Sequence, residues 1–123
     1  MEVLNLCDRL GLDAAEISGY DSARRGIPTS PYFLDNIRRL KTETDLPLIA
    51  VGGIRSGDDM DALFDAGAVA VSMSRPFLQN PDVIRVIENG GSSGCTGCCS
   101  CFKPLDTTKD PIIRCPFREK KGE

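Results

Sequence analysis

The chain has 123 residues, 41% hydrophobic and 27% charged, with a formal net charge of −3 and no histidine. That is one domain at most, too acidic for a nucleic-acid surface, whose footprint is basic, and without any apolar run near the ~18–20 residues of a membrane span. The missing histidine removes Ser-His triads, Cys-His dyads and His-containing zinc sites.

Val3, Leu4, Leu6 and Leu10 recur at helical spacing and Gly11 stops the run, so residues 2–10 are predicted as a helix. Nothing here pairs a charged region with an apolar one as a secretory signal does, and a cytoplasmic location is expected. "AAEIS" (14–18) is predicted as a short strand closed by Gly19, with Glu16 directed into a barrel interior or cleft. The stretch from Tyr20 to Ser30, with Gly26 and Pro28, reads as a loop. Its Arg24 and Arg25 read as solvated, as do Arg118, Lys120 and Lys121 in the tail.

Pro31 opens the next predicted helix at a position where its missing N–H costs nothing. Phe33, Leu34, Ile37 and Leu40 fall on one face of it, and Asp35, Arg38, Arg39 and Lys41 on the other. "LIAV" (48–51) follows Pro47 as a compact strand. Ser56 and Asp59 have the spacing of a helix capping box. Met60, Leu63 and Phe64 are expected on the inner face of that helix, and Gly67 ends it. Asp58, Asp59 and Asp61 read as acids complementing the helix dipole. "VAVSM" (69–73) is the third predicted strand, and 81–89 the last helix, ending at Gly90-Gly91.

Alternating helices and short apolar strands imply a parallel sheet with crossover helices. The expected fold class is therefore α/β: the last three βα units of a (β/α)8 TIM barrel over residues 1–91, then a cysteine-rich extension over 92–123. Three strands cannot close a barrel that needs eight and usually about 250 residues. The missing barrel half, or self-association of the exposed sheet edges, is the expected partner.

In parallel α/β folds chemistry sits at the carboxyl ends of strands. Here those ends carry Gly52-Gly53 and Ser74-Arg75. Glycines let backbone amides approach an anion closely, and a guanidinium grips phosphate oxygens in pairs. Gly-Gly alone reads as a turn, and one arginine before a proline as a surface charge. Their occurrence in consecutive βα units points to a phosphate site.

Five of the six cysteines crowd the last quarter, and Cys7 stands alone. Cys95, Cys98, Cys101 and Cys115 form C-x2-C-x2-C-x13-C, with Cys99 spare. An all-thiolate set of this kind suits a [4Fe–4S] cluster or structural zinc, while reduced thiols or disulfides remain the alternative.

"DLPLIAVGGIRSGDDMDALFDAGAVAVSMSRPFLQNPDVI" resembles the C-terminal part of the old yellow enzyme family, the NADH:flavin oxidoreductases and 2,4-dienoyl-CoA reductase-like FMN barrels. "LCDRLGLDAAEISG" resembles the entry to their sixth strand, and "PYFLDNIRRLKTETDLPLIAVGG" the crossover into the seventh. The resemblance implies FMN as cofactor, its phosphate held at Gly52, Gly53, Ser74 and Arg75. In relatives Ser74 is commonly glycine. It also implies NAD(P)H as electron donor and a small-molecule substrate of the enone or enoyl thioester class. The iron–sulfur branch of that family carries a cysteine set after strand eight, which implies a [4Fe–4S] cluster on Cys95, Cys98, Cys101 and Cys115. The family's substrate-orienting and proton-donating residues lie upstream and have no counterpart here, so no catalytic residue is assigned and a fragment is expected. The alternative reading is a non-catalytic remnant that holds zinc or an iron–sulfur cluster.

Overall fold

The computed structural model describes residues 2–19, 26–102 and 112–118. Arg24, Arg25, Lys120 and Lys121 lie outside them. In chain order the elements are α1 (Glu2–Arg9), β1 (Ala15–Ile17), α2 (Leu34–Lys41), β2 (Leu48–Val51), α3 (Gly57–Asp65), β3 (Ala68–Ser72), α4 (Arg75–Gln79) and α5 (Val83–Glu88), with a 3-10 turn at Ser100–Phe102. The strands form one parallel sheet in the order β1-β2-β3. The α/β expectation holds, and so does the placement of all three strands to within a residue at each end.

The sheet packs on α2 and α3 through Ile37, Leu48, Ala50, Ile54, Leu63 and Ala68. Burial at that level contributes about 1.5–3 kcal/mol for each large aliphatic side chain. Leu48 and Ala50 face this core while Ile49 and Val51 occupy the other, half-buried face, the period-two arrangement of a strand. Register slips between Leu48 and Ile49, so that Val69 finds no partner in β2 and stays exposed. α3 carries a full capping box: Ser56 Oγ accepts from the Asp59 N–H, and the Asp59 carboxylate accepts from the Ser56 N–H.

Two local expectations shift, at the start of α2 and at Phe64, and α4 is additional. α2 starts at Leu34 instead of Pro31, because the Tyr32 N–H donates to the Gly52 carbonyl (3.1 Å) and pins that stretch to the end of β2. The predicted helix 81–89 is present as α5, and an additional short helix, α4, precedes it from Arg75 and ends in extended backbone at Asn80 (φ −142°). Phe64 is 45% exposed, so the buried side of α3 runs through Met60 and Leu63 alone. Glu16 pairs in register with Ile49, on the sheet face away from α2 and α3 that a barrel turns inward, and is exposed there among the described residues.

Candidate functional site

β2 and β3 are adjacent and parallel, so their carboxyl ends open at the same rim. At the end of β2 the chain turns through Gly52 (φ +98°) and Gly53 (φ +74°). Side chains rarely adopt that backbone region. Space forbids them as well: a Cβ on Gly53 would sit 3.0 Å from the Tyr32 N and 3.0 Å from its ring, and one on Gly52 would press the Tyr32 and Phe33 rings. Ile54 then dives back into the core at 2% exposure and fixes the turn.

One strand over, Arg75 follows β3 and faces this turn. A pocket of about 60 Å³ is lined by Gly52, Gly53, Ile54, Arg55, Tyr32 and Arg75, among others. A water needs roughly 10–15 Å³ and a drug-sized ligand about 300–1,000 Å³. The space thus suits an ionic head group with the remainder of its molecule outside. Ser74 is exposed beside the pocket and does not line it, and its hydroxyl caps no helix.

Two groups bracket the guanidinium of Arg75. Its Nη1 donates to Cys99 Sγ at 3.0 Å, and it shares a side-chain hydrogen bond with Tyr32. Burial works to lower its pKa, but attraction to Cys99 and the Tyr32 bond outweigh that and raise it above the ordinary arginine value. Arg75 is cationic at every accessible pH.

The segment after α5 returns across the rim. Arg55 Nη2 donates to the Ser93 carbonyl (2.7 Å) and its Nε to the Cys95 carbonyl (3.4 Å). The Ser93 N–H in turn donates to the Arg55 carbonyl (2.7 Å). Further along, the Gly26 N–H donates to the Gly97 carbonyl (3.0 Å), and a Cβ on Gly97 would collide with the Gly26 carbonyl. Cys95 and Gly97 thereby become part of the pocket wall. Tyr32, Arg55, Cys95, Gly97 and Cys99 were not singled out for this site by the sequence. Arg55 carried one usable signal, standing two residues beyond the glycine pair. The other four reach the rim only through tertiary contacts.

All six cysteines are thiols. Cys95, Cys98, Cys99, Cys101 and Cys115 surround a second, smaller pocket of about 40 Å³ that shares Arg75 with the first. Among the described residues, no group of three or more Cys, Asp or Glu side chains is arranged to hold a metal ion. The predicted ligand set of Cys95, Cys98, Cys101 and Cys115 is corrected accordingly. Cys98 is exposed and bonded to Ser100 within its own turn, which lowers its pKa. Burial raises that of Cys101. Spacing in the chain brought thiols to one wall without converging them on one point.

A parallel βα array with an anion-sized pocket at its carboxyl rim is the arrangement of phosphate-binding (β/α)8 proteins. The sequence model of the histidine biosynthesis protein family matches residues 23–96, more than half of the chain. The chain belongs to that family, and its three βα units are part of a TIM barrel. Curated relatives agree. The imidazole glycerol phosphate synthase subunit HisF of Corynebacterium urealyticum is 30% identical over 95 residues, covering 77% of this chain and 36% of the relative. HisF of Maricaulis maris is 35% identical over 86 residues (68% and 32%), and HisF of Elusimicrobium minutum 39% over 101 residues (72% and 40%). The chain thus spans about a third of the length of these relatives. No solved structure matches it at comparable stringency.

These matches overturn the old yellow enzyme resemblance and what it implied: FMN, NAD(P)H, a [4Fe–4S] cluster, an enone or enoyl thioester substrate and flavin-dependent oxidoreduction. The non-catalytic zinc or iron–sulfur remnant fits no better. The physical reason lies in the residues that carried the resemblance. Strand-end glycines and a neighbouring arginine suit a phosphate in any barrel that binds one, and a phosphate does not disclose the molecule attached to it. No helix among the described residues is long and apolar enough to cross a membrane.

Proposed function

We propose that this chain contributes the phosphate-gripping rim of a barrel of the imidazole glycerol phosphate synthase type. The phosphate of a small phosphorylated substrate or product sits between the Gly52-Gly53 turn and Arg75, with the imidazole glycerol portion outside the pocket. The observation that carries this reading is the pocket itself, lined by both glycines and by a guanidinium that stays charged. Backbone amides at the glycine turn approach the oxygens closely, while Arg75 supplies the opposite charge.

Among the described residues the pocket lining contains no carboxylate, and the chain has no histidine. Proton transfers of such an activity fall to strands beyond these three, and the share of this chain is to bind and orient. The outward edges of β1 and β3 pair with the remaining strands of the barrel, supplied by further polypeptide or by another chain. Residues 1–91 are assigned to the barrel portion and 92–123 to an extension, of which Ser93, Cys95 and Gly97 meet the rim. A cytoplasmic setting suits a phosphorylated biosynthetic intermediate.

Isothermal titration of the chain with inorganic phosphate and with imidazole glycerol phosphate tests the reading. Arg75→Gln should weaken both by about tenfold to a hundredfold, as expected for losing a charge-assisted pair. Absent binding, or binding indifferent to Arg75→Gln, would overturn it.

A further inference from the structure

We propose that Cys99 is a positioning residue for the phosphate site: its sulfur holds the Arg75 guanidinium in the wall between the two pockets, on the rim it shares with the Gly52-Gly53 turn. This rests on the phosphate reading above and specifies how its cation is preorganised.

Three observations support it. Cys99 Sγ accepts from Arg75 Nη1 at 3.0 Å, across 24 positions of sequence, a contact that no local propensity produces. Arg75 lines both pockets, whereas Cys99 lines only the thiol-rich one, so the sulfur meets Arg75 from that second pocket. Among the described residues Cys99 is also the one non-glycine residue with a positive φ (58°). A backbone held there by its surroundings fixes where the side chain emerges. The Gly97 carbonyl, within 3.5 Å of the same sulfur, is itself bonded to the Gly26 N–H, so the anchor is tied back to the scaffold.

An arginine side chain has many rotamers, and an anion that must first order it binds more weakly. With Tyr32 on one flank and Cys99 on the other, Arg75 is ordered before the anion arrives. A guanidinium carries five N–H donors in a fixed fork, so a single bond to the sulfur sets the orientation of the whole group.

The experiment compares Cys99→Ala with Cys99→Ser in the full chain. Both variants carry the same backbone cost, and only serine keeps an acceptor. Two readouts are taken: affinity for inorganic phosphate by titration, and the ¹⁵N–¹H resonance of the Arg75 Nε in phosphate-free buffer. Cys99→Ala should weaken phosphate binding about fivefold to tenfold, the effect of one hydrogen bond to a charged group, and should shift the Arg75 resonance. Cys99→Ser should restore both at least halfway. An unmoved resonance in Cys99→Ala overturns the positioning role whatever the phosphate affinity. Equal losses in both variants overturn it too, because packing and not the acceptor would then be responsible. A resonance that moves and is rescued, in a chain that does not bind phosphate, upholds the Arg75 anchor and overturns the phosphate reading together with the role in binding.

Discussion

Arg55 and Ser93 bond to each other twice: the Arg55 guanidinium donates to the Ser93 carbonyl at 2.7 Å, and the Ser93 amide donates to the Arg55 carbonyl at 2.7 Å. Ser93 is 2% exposed. The strand-end turn and the segment after α5 are therefore one unit, and the wall contributed by Cys95 and Gly97 depends on it. Arg55→Ala should lower stability by about 1.5–3 kcal/mol, since it leaves a buried carbonyl without its charged donor. Arg55→Lys, which has no fork of donors, should recover less than half of that loss. Urea unfolding midpoints would check both.

The glycines of the rim and of the helix start should respond in opposite directions. Gly53→Ala places a Cβ 3.0 Å from backbone at a φ of +74° and should cost about 1–3 kcal/mol. Its phosphate affinity should fall along with stability. Gly57→Ala, at the first position of α3 with open space around it, should be neutral or stabilise by up to about 1 kcal/mol. Paired thermal melts decide the matter, and equal effects at the two positions would contradict the geometry given for the turn.

Asp59 serves two backbone donors at once, the N–H groups of Arg55 (2.7 Å) and Ser56 (3.1 Å). Asp59→Ala should therefore cost more than the ~1 kcal/mol typical of losing a single cap. Ser56→Ala, which removes only the 3.3 Å bond from the Asp59 N–H, should fall at or below that figure. A larger loss for Ser56→Ala in a melting comparison would show that the carboxylate is not what links the turn to α3.

Cysteine modification should be ordered by pH. Hydrogen bonds from Ser100 lower the pKa of Cys98, whereas burial raises that of Cys101. The thiolate is the reacting form, so a lowered pKa moves reaction onset to lower pH and a raised one to higher pH. Iodoacetamide followed by peptide mass spectrometry should label Cys98 first on raising the pH from mildly acidic, with Cys101 still lagging in the alkaline range. Simultaneous onset would contradict both environments.

The sheet was legible because its strands are short apolar runs between glycine and proline signals, and because Ser56 and Asp59 announce their own helix. α4 was not. "RPFLQ" is too short to show a helical period, and its start coincides with the residues read for phosphate chemistry. The carboxyl rim with Gly52, Gly53 and Arg75 was legible from strand order alone. Cys99, passed over as spare, lies against Arg75 because of a left-handed backbone residue that no spacing rule marks. The identity of the barrel was misjudged for a chemical reason: "VGGIRS" and "SRP" suit an oxyanion, a feature that barrels of different chemistry can share.

The bond from the Gly26 amide to the Gly97 carbonyl joins two loops with all of β2, β3 and α2 to α5 between them in sequence. Closing so long a loop is entropically demanding, and contacts of this separation form slowly in folding. The pocket should accordingly mature last, after the βα array has condensed. In pulse-labelling hydrogen exchange, the Gly26 amide should gain protection later than those of Ile49 and Ala50.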